Sequence, residues 1–397
     1  MRRLRFIFLP SLVCIALVFA ACQPYPVNPQ KEIAFCKQQV TMAIESGLGE
    51  ASFPRNIPAG ETQWRSTRLS NWTVGFWPGI LWYLHETDGD DYWLQQATYF
   101  TRQVEPIKDL IFNTHDLGFM AYLSFGHGYR ITGDPDYRQI LLTAADKLAE
   151  LYNPDTGTLL AWPWMLDIRD WPNHMVITSI MNLNILFWAA KNGRPAYYDM
   201  AVNHADASLR YLMRKDFTTW QVVHFDSISH LPSKRLTFHG LHDESTWARG
   251  QAFAIYGFNV AYAETGEQRF LGAAAGLARM FIDRLPDDFV PYWDFDVELE
   301  EDMLKDASAA SIAASALLEL SRLTDNENEQ ALFFESGGKI LQSLSGKVYK
   351  AKKINHAFLL HSVGIMRENS EVNSSTIYAD YYYLEALIRY KNILMAN

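Results

Sequence analysis

His239-Gly240-Leu241-His242-Asp243-Glu244-Ser245-Thr246-Trp247-Ala248-Arg249-Gly250-Gln251-Ala252-Phe253 is a polar, aromatic and charged connector that runs straight into a helix. Ser245 or Thr246 can cap the helix start by accepting backbone N–H bonds, and apolar Ala252, Ile255, Tyr256 and Val260 give the following segment a helical period. Trp247, Arg249 and Gln251 then stand in or beside the first turn. An aromatic face, a guanidinium fork and an amide at a helix N-terminus make a grip for a carboxylated sugar. A capped helix with a core Trp and an Arg paired to Asp243 or Glu244 explains the same spacing.

Outward from this stretch, helical periodicity recurs and long alternating strand patterns do not. The periods predict helices over 30–46, 74–87, 91–104, 116–132, 135–151, 173–191, 195–214, 246–265, 267–284, 306–323, 327–344 and 376–394, twelve in all and enough for six hairpins. Short turns of one chemistry, a helix stop followed by an Asp, Glu or Pro start, separate alternate helices. They are Thr87-Asp88-Gly89-Asp90, Thr132-Gly133-Asp134-Pro135, Asn192-Gly193-Arg194-Pro195, Thr265-Gly266-Glu267 and Thr324-Asp325-Asn326-Glu327. Their irregular intervals exclude a strict repeat array but leave an open solenoid as one solution.

The longer connectors, Trp64 to Trp77, Ala161 to His174, Trp220 to Trp247, Tyr292 to Asp306 and Ile354 to Tyr378, hold the unusual residues. If the hairpins close into a ring, every long connector falls on one face and lines a bowl, the ordinary setting for a ligand site. The run Ala307-Ser308-Ala309-Ala310-Ser311-Ile312-Ala313-Ala314-Ser315-Ala316 suits a crowded barrel centre, and equally an ordinary tight helix pair.

Met1-Arg2-Arg3-Leu4-Arg5, an apolar run from Phe6 to Phe19 and Ala20-Ala21-Cys22 follow the bacterial lipoprotein pattern. Residues 1–21 are expected to be a leader cleaved before a lipidated Cys22, placing the protein in the periplasm or on the outer membrane with lipid as its only membrane contact. Phe19 departs from the usual Leu. Without Arg2, Arg3 and Arg5 the 35 basic residues fall to 32 against 45 acidic ones, a mature charge of about −13. Such a charge disfavours nucleic acid as a partner. With Cys14 in the leader and Cys22 lipidated, Cys36 alone remains, which excludes a disulfide framework and a cysteine metal site. After a spacer over 22–29 no composition break divides residues 30–397, which read as one domain.

No phosphate-cradling Gly loop, Gly-x-Ser-x-Gly elbow or His-Glu-x-x-His is present. His115-Asp116 opens a helix, where Asp116 is either its N-cap or an acid/base group at the bowl's rim, tuned by His115 and apolar neighbours.

Six motifs then occur in order: Asn71-Trp72-Thr73-Val74-Gly75-Phe76-Trp77-Pro78-Gly79, Thr114-His115-Asp116-Leu117-Gly118-Phe119, Asp243-Glu244-Ser245-Thr246-Trp247-Ala248-Arg249-Gly250-Gln251-Ala252, Tyr292-Trp293-Asp294-Phe295-Asp296, Asp306-Ala307-Ser308-Ala309-Ala310, and Ser370-Glu371-Val372-Asn373 ahead of Ile377-Tyr378-Ala379-Asp380-Tyr381-Tyr382-Tyr383-Leu384-Glu385-Ala386-Leu387. Across its mature length the chain resembles the family 88 glycoside hydrolases, the unsaturated glucuronyl hydrolases. The resemblance implies an all-α (α/α)6 six-hairpin barrel and an oligosaccharide substrate, left by polysaccharide lyases, with a 4,5-unsaturated uronic acid at its non-reducing end. In such enzymes an Asp protonates C4 and helps water attack C5, and the resulting hemiketal opens to release the next sugar, without a metal or organic cofactor. Asp116 matches the family's first active-site Asp and His115 its neighbour. Trp72, Trp247 and Arg249 match substrate-site positions, and Ser370 falls in the loop that contacts the uronate.

The family's principal acid/base Asp, four residues before the Asn of a Met-Asn-Leu helix, is Thr178 here, ahead of Asn182. Gln221 and Phe238 stand where relatives carry histidines, Phe238 just before His239, and Gly364-Ile365-Met366-Arg367-Glu368-Asn369-Ser370 lacks the usual His, Pro and Gly. Loss of one general acid typically costs about 10²- to 10⁴-fold in rate, and His174, His224, His239 or His242 are the groups that could stand in. The expectation is a glycosidase with an altered site, the alternative a sugar-binding protein on the same fold that keeps the Trp72, Trp247 and Arg249 grip, or a helical interaction scaffold.

Overall fold

Ile377–Ala396 is buried without a break from Ile377 to Leu387, and Ala307–Leu323 from Ala307 to Leu318. Helices apolar or small on every side belong at a centre. The computed structural model describes residues 27–48, 53–109, 114–298 and 303–396. Among them an inner ring runs through Phe76–Asp88, the segment 117–132, the segment 177–191, Ala248–Thr265, Ala307–Leu323 and Ile377–Ala396, the last packing against the first. Outside lie Asp91–Val104, Pro135–Ala149, Tyr197–Ala207, Gln268–Asp283 and Glu327–Leu344, and Pro29–Glu45 packs on Ile377–Ala396. The outer helices bury a single stripe, as in Asp91–Val104, where Trp93, Ala97, Phe100, Thr101 and Val104 face inward. The fold is an (α/α)6 barrel, and the ring closes where an open solenoid would not.

The short turns behave as their chemistry demands. Gly89, Gly133 and Gly266 take the left-handed conformation at helix ends, with φ of 73°, 69° and 70°. The Asp90, Asp134 and Asn326 side chains then cap the next helix by accepting N–H bonds from Tyr92, Asp136 and Asn328.

Two expectations need correction. Neither Ser245 nor Thr246 caps the helix Ala248–Thr265, whose N-cap is Trp247 without a side-chain bond. Ser245 Oγ instead donates to Asp294 Oδ2 at 2.7 Å, and the Thr246 N–H donates to Asp296 Oδ2 at 2.7 Å. The helix expected from residue 173 starts later, because His174–Val176 is an extended strand paired antiparallel with Val222–Phe225, itself paired with Pro232–Leu236. These strands are too short to show an alternating pattern. The leader, Cys22 and most of the spacer lie outside the described residues.

Two histidines are built into this frame as neutral acceptors. His174 Nε2 accepts the Trp162 N–H at 3.2 Å and His204 Nδ1 accepts the Leu159 N–H at 2.9 Å. Burial holds the pKa of each down to about 3. The unfolded chain therefore binds more protons than the folded one below the ordinary histidine value, so stability is full above about pH 6.5 and falls as pH drops towards 3. Thermal unfolding followed by circular dichroism should show a midpoint that falls between about pH 6.5 and 4.5, above the carboxylate range, as stability drops by up to about 1.4 kcal/mol per pH unit per histidine. A flat midpoint over that window would mean that these rings tolerate the proton.

Candidate active site

The N-terminal ends of the inner helices converge on a cavity of about 720 Å³, and residues from four of the five long connectors line it. Residues at four of the inner helix starts, Trp72, Asp116, Thr178 and Trp247, line it, an arrangement that favours negative charge there. Trp72 stands on one side, its ring centroid 5.0 Å from Tyr378 and 5.6 Å from Phe119, after Asn71 opens a 3-10 turn by accepting the Thr73 N–H. Trp162, Trp164, Phe238, Trp247 and Phe253 complete an aromatic wall.

Asp116 sits on this wall as the N-cap residue of Leu117–Ala121, but its carboxylate does not cap the helix. Oδ2 accepts the Thr114 hydroxyl at 2.8 Å, and Oδ1 lies 3.3 Å from His115 Nε2. His115 Nδ1 is 2.8 Å from Ser179 Oγ, which fits a ring carrying its proton on Nε2. Burial pushes the His115 pKa below its usual value against the pull of Asp116, so the imidazole stands neutral beside the carboxylate.

Thr178 lines the same cavity. Asn182 ties its turn to Asp116's helix: Oδ1 accepts the Phe119 N–H at 2.8 Å and Nδ2 donates to the Thr178 carbonyl at 3.4 Å. Gly118 allows the approach, since a Cβ there would lie 2.5 Å from Asn182 Oδ1.

Arg249 lines the cavity, but its guanidinium is engaged within the protein. Nη1 donates to Asp306 Oδ2 at 3.1 Å, to Ser308 Oγ and to the Val363 carbonyl, and Nη2 donates to the Gly364 carbonyl at 2.8 Å. Its carbon centre lies 4.7 Å from the Trp247 ring and 5.2 Å from that of Tyr378. Its partner is therefore Asp306, not Asp243 or Glu244, and its work is to fasten the loop that carries Ser370 to the cavity's edge.

His239 is in the wall and Gln221 is behind it: Gln221 Oε1 accepts the His239 N–H at 2.6 Å without lining the cavity. The buried His239 Nδ1 has no partner among the described residues. Burial, then Arg249 and Arg367, bring its pKa down to about 3, so the ring is neutral near neutral pH and has no proton to supply as an imidazolium. His174, His224 and His242 do not line the cavity. Gln251, read as part of the grip, does not line it either: it accepts the Thr219 hydroxyl at 3.1 Å and donates to the Phe217 carbonyl at 2.7 Å, so it braces the helix.

Sequence reading missed Arg55 and the Glu371 carboxylate it holds at 2.7 Å, both lining the cavity, with Tyr378 OH 3.2 Å from the other Glu371 oxygen. Glu371 belongs to the motif Ser370-Glu371-Val372-Asn373. Arg55 had no local signal, because its strand, Phe53–Ile57, is brought to the site by pairing with Arg65–Thr67 and with the distant Ser375–Thr376. Among the described residues no group of three or more His, Cys, Asp or Glu is placed to hold a metal ion.

No protein-family model matches the chain. It is 34% identical over 376 residues to the unsaturated glucuronyl hydrolase of Formosa agariphila, covering 93% of this chain and 92% of that protein. It is 31% identical to the unsaturated chondroitin disaccharide hydrolase of Streptococcus pyogenes serotype M1, with 92% and 94% covered. An unsaturated glucuronyl hydrolase specific for heparin superposes with a TM-score of 0.87 at 36% identity, over 92% of this chain and 98% of that one. The glycosaminoglycan-degrading enzyme of Bacillus sp. GL1 superposes at 0.85 with 31% identity, over 91% and 96%. The barrel, the cavity at its helix starts and the similarity over more than nine-tenths of the length agree: the chain belongs to the unsaturated glucuronyl hydrolases, glycoside hydrolases acting on oligosaccharides that carry an unsaturated uronic acid.

Proposed function

We propose that this enzyme hydrates the C4=C5 enol ether of a 4,5-unsaturated uronic acid at the non-reducing end of lyase-generated oligosaccharides, with Asp116 as its proton-transfer group. The observation that carries the reading is the setting of that carboxylate on an aromatic wall, between the Thr114 hydroxyl and a neutral His115. In its protonated form Asp116 gives its proton to C4. The carboxylate left behind takes a proton from the water that bonds to C5, which regenerates the acid and leaves a hemiketal. Ring opening of the hemiketal then expels the next sugar. A Streptococcus agalactiae relative, 28% identical with a TM-score of 0.75, has been crystallised with dGlcA-GalNAc6S, an unsaturated disaccharide of this type.

The remaining cavity-lining carboxylates are placed for other work. Glu371 is held by Arg55, Glu368 stands 3.8 Å from Arg169 at the rim, and Asp167 is exposed. Thr178 in the acid position supports a site altered from the family pattern, with Asp116 working without a second carboxylate. A reaction run this way is slow or specialised for one substrate. The basic start, apolar run and Ala-Ala-Cys of the first residues support export as a lipoprotein.

Loss of the conjugated double bond's absorbance, with unsaturated disaccharides from chondroitin, heparin, hyaluronan and ulvan digests, measures the reaction directly. Turnover of at least one is expected; a folded protein that binds them all and turns over none would replace this proposal with the sugar-binding alternative. Asp116→Asn should lower kcat by about 10²- to 10⁴-fold with little change in KM. Thr178→Asp should raise kcat by about tenfold or more by restoring a second carboxylate, and no gain would show that the pocket has been rebuilt around the threonine. Cys22→Ala should abolish metabolic labelling with palmitate and release the protein from the membrane fraction, whereas unchanged fractionation would exclude the lipid anchor.

A further inference from the structure

The barrel has a second opening. At the end opposite the catalytic cavity, where the inner helices finish, lies a separate cavity of about 420 Å³. A recess of about 350 Å³ shares its Tyr83, His127 and Arg130, and another of about 80 Å³ shares its Tyr256, Val260 and Arg389. The same helices serve both ends. Phe253 lines the catalytic cavity and Tyr256 the lower one, as do Phe119 and Tyr122, so less than one helical turn, about 4.5 Å of rise, separates the two. Between them Tyr382 packs 6.0 Å from Phe76 and 6.3 Å from Phe253, an aromatic septum across the barrel axis.

The lower cavity combines flat aromatic faces with a polar floor. Tyr122, Tyr129, Trp188 and Tyr256 are half-buried, with Tyr129 and Trp188 5.7 Å apart and nearly perpendicular. On the floor Glu385 accepts Tyr83 OH at 2.6 Å and Tyr256 OH at 3.0 Å, and His127 joins Tyr381 OH at 2.9 Å to Arg130 at 3.0 Å. The buried Asn259 Oδ1 in the smallest recess has no partner among the described residues. Both cations are matched: Arg130 holds both oxygens of Glu86, and Arg389 lies 3.4 Å from Glu385 and 3.7 Å from Glu319. With no surplus positive charge the site does not select an anion.

We infer that this lower cavity is a second binding site, for a neutral sugar of one or two units, separate from the site that takes the unsaturated uronate. Apolar sugar faces lie against the Trp188, Tyr129 and Tyr122 rings, and hydroxyls exchange hydrogen bonds with Asn184, His127 and the Glu385 cluster. The chemistry differs from the catalytic cavity in one respect that decides the ligand: four helix starts favour an anion above, whereas below the charged side chains are paired among themselves.

Saturation-transfer NMR on the whole folded protein tests this, with D-glucose, D-galactose, N-acetyl-D-glucosamine and N-acetyl-D-galactosamine as ligands and D-glucuronate as the anionic control. At least one neutral sugar should bind saturably with a Kd on the order of millimolar, whereas glucuronate binding, which belongs to the catalytic cavity, should be unmoved by Trp188→Ala. Affinity for the neutral sugar should fall about tenfold in Trp188→Ala and measurably in Asn184→Ala, which keeps the inference testable if the first variant does not fold, and should persist in Trp72→Ala. Absence of saturable binding of any neutral sugar, indifference to both lower-cavity substitutions, or loss in Trp72→Ala would each overturn it.

Discussion

A guanidinium taken out of water must be met by charge and by acceptors, and at Arg249 groups from several segments meet it. Asp306 and Ser308 come from the start of one inner helix, the Val363 and Gly364 carbonyls from the C-terminal loop, and the Trp247 and Tyr378 rings flank its plane. Asp306 also accepts the Val363 N–H at 3.2 Å and caps its own helix through the Ser308 N–H at 2.9 Å. One buried pair thus sets the spacing of three inner helices and the height of the loop that closes the cavity. Removing either partner would leave an uncompensated buried charge, a loss of about 3–5 kcal/mol in comparable pairs.

A similar economy operates behind the wall. Asp294 Oδ2 accepts both the Leu241 N–H at 2.9 Å and the Ser245 hydroxyl at 2.7 Å, which folds the connector 239–247 onto the barrel and presents His239 and Trp247 side by side, rings 5.0 Å apart. Gln221 fixes the His239 backbone from a strand the sequence did not show. The carboxylates of this region are spent on N–H and hydroxyl groups, and the ring nitrogens of His115 and His239 are kept neutral by burial. Asp116 is left as the carboxylate placed for proton transfer in the reaction we propose.

The two ends of the barrel follow from one geometrical fact. Inner helices that all run the same way bring their N-termini together at one mouth and their C-termini at the other. Aromatic side chains one turn apart then face different spaces across the Phe76, Phe253 and Tyr382 septum. The catalytic mouth is lined largely by long connectors, while the short Gly and Asp turns leave the other mouth lined by the helices themselves.

Helical periodicity and turn chemistry were enough to locate eleven of the twelve expected helices within a few residues, because both are written locally: a buried stripe every 3.6 residues, a left-handed Gly at the stop, an Asp or Asn cap at the start. The ordered motifs carried the family, and with it the barrel and the Asp116 and Thr178 positions. What the sequence alone could not decide was which polar groups face the cavity and which face each other. Arg249 reads as a ligand grip until Asp306, 57 positions away, is seen to hold it; Gln251 reads as its companion until Phe217 and Thr219 claim its amide. Arg55 has no local mark and reaches Glu371, 316 positions on, only through strand pairing. Hydrogen-bond partners are chosen by proximity in space, and only closure of the helical ring creates that proximity.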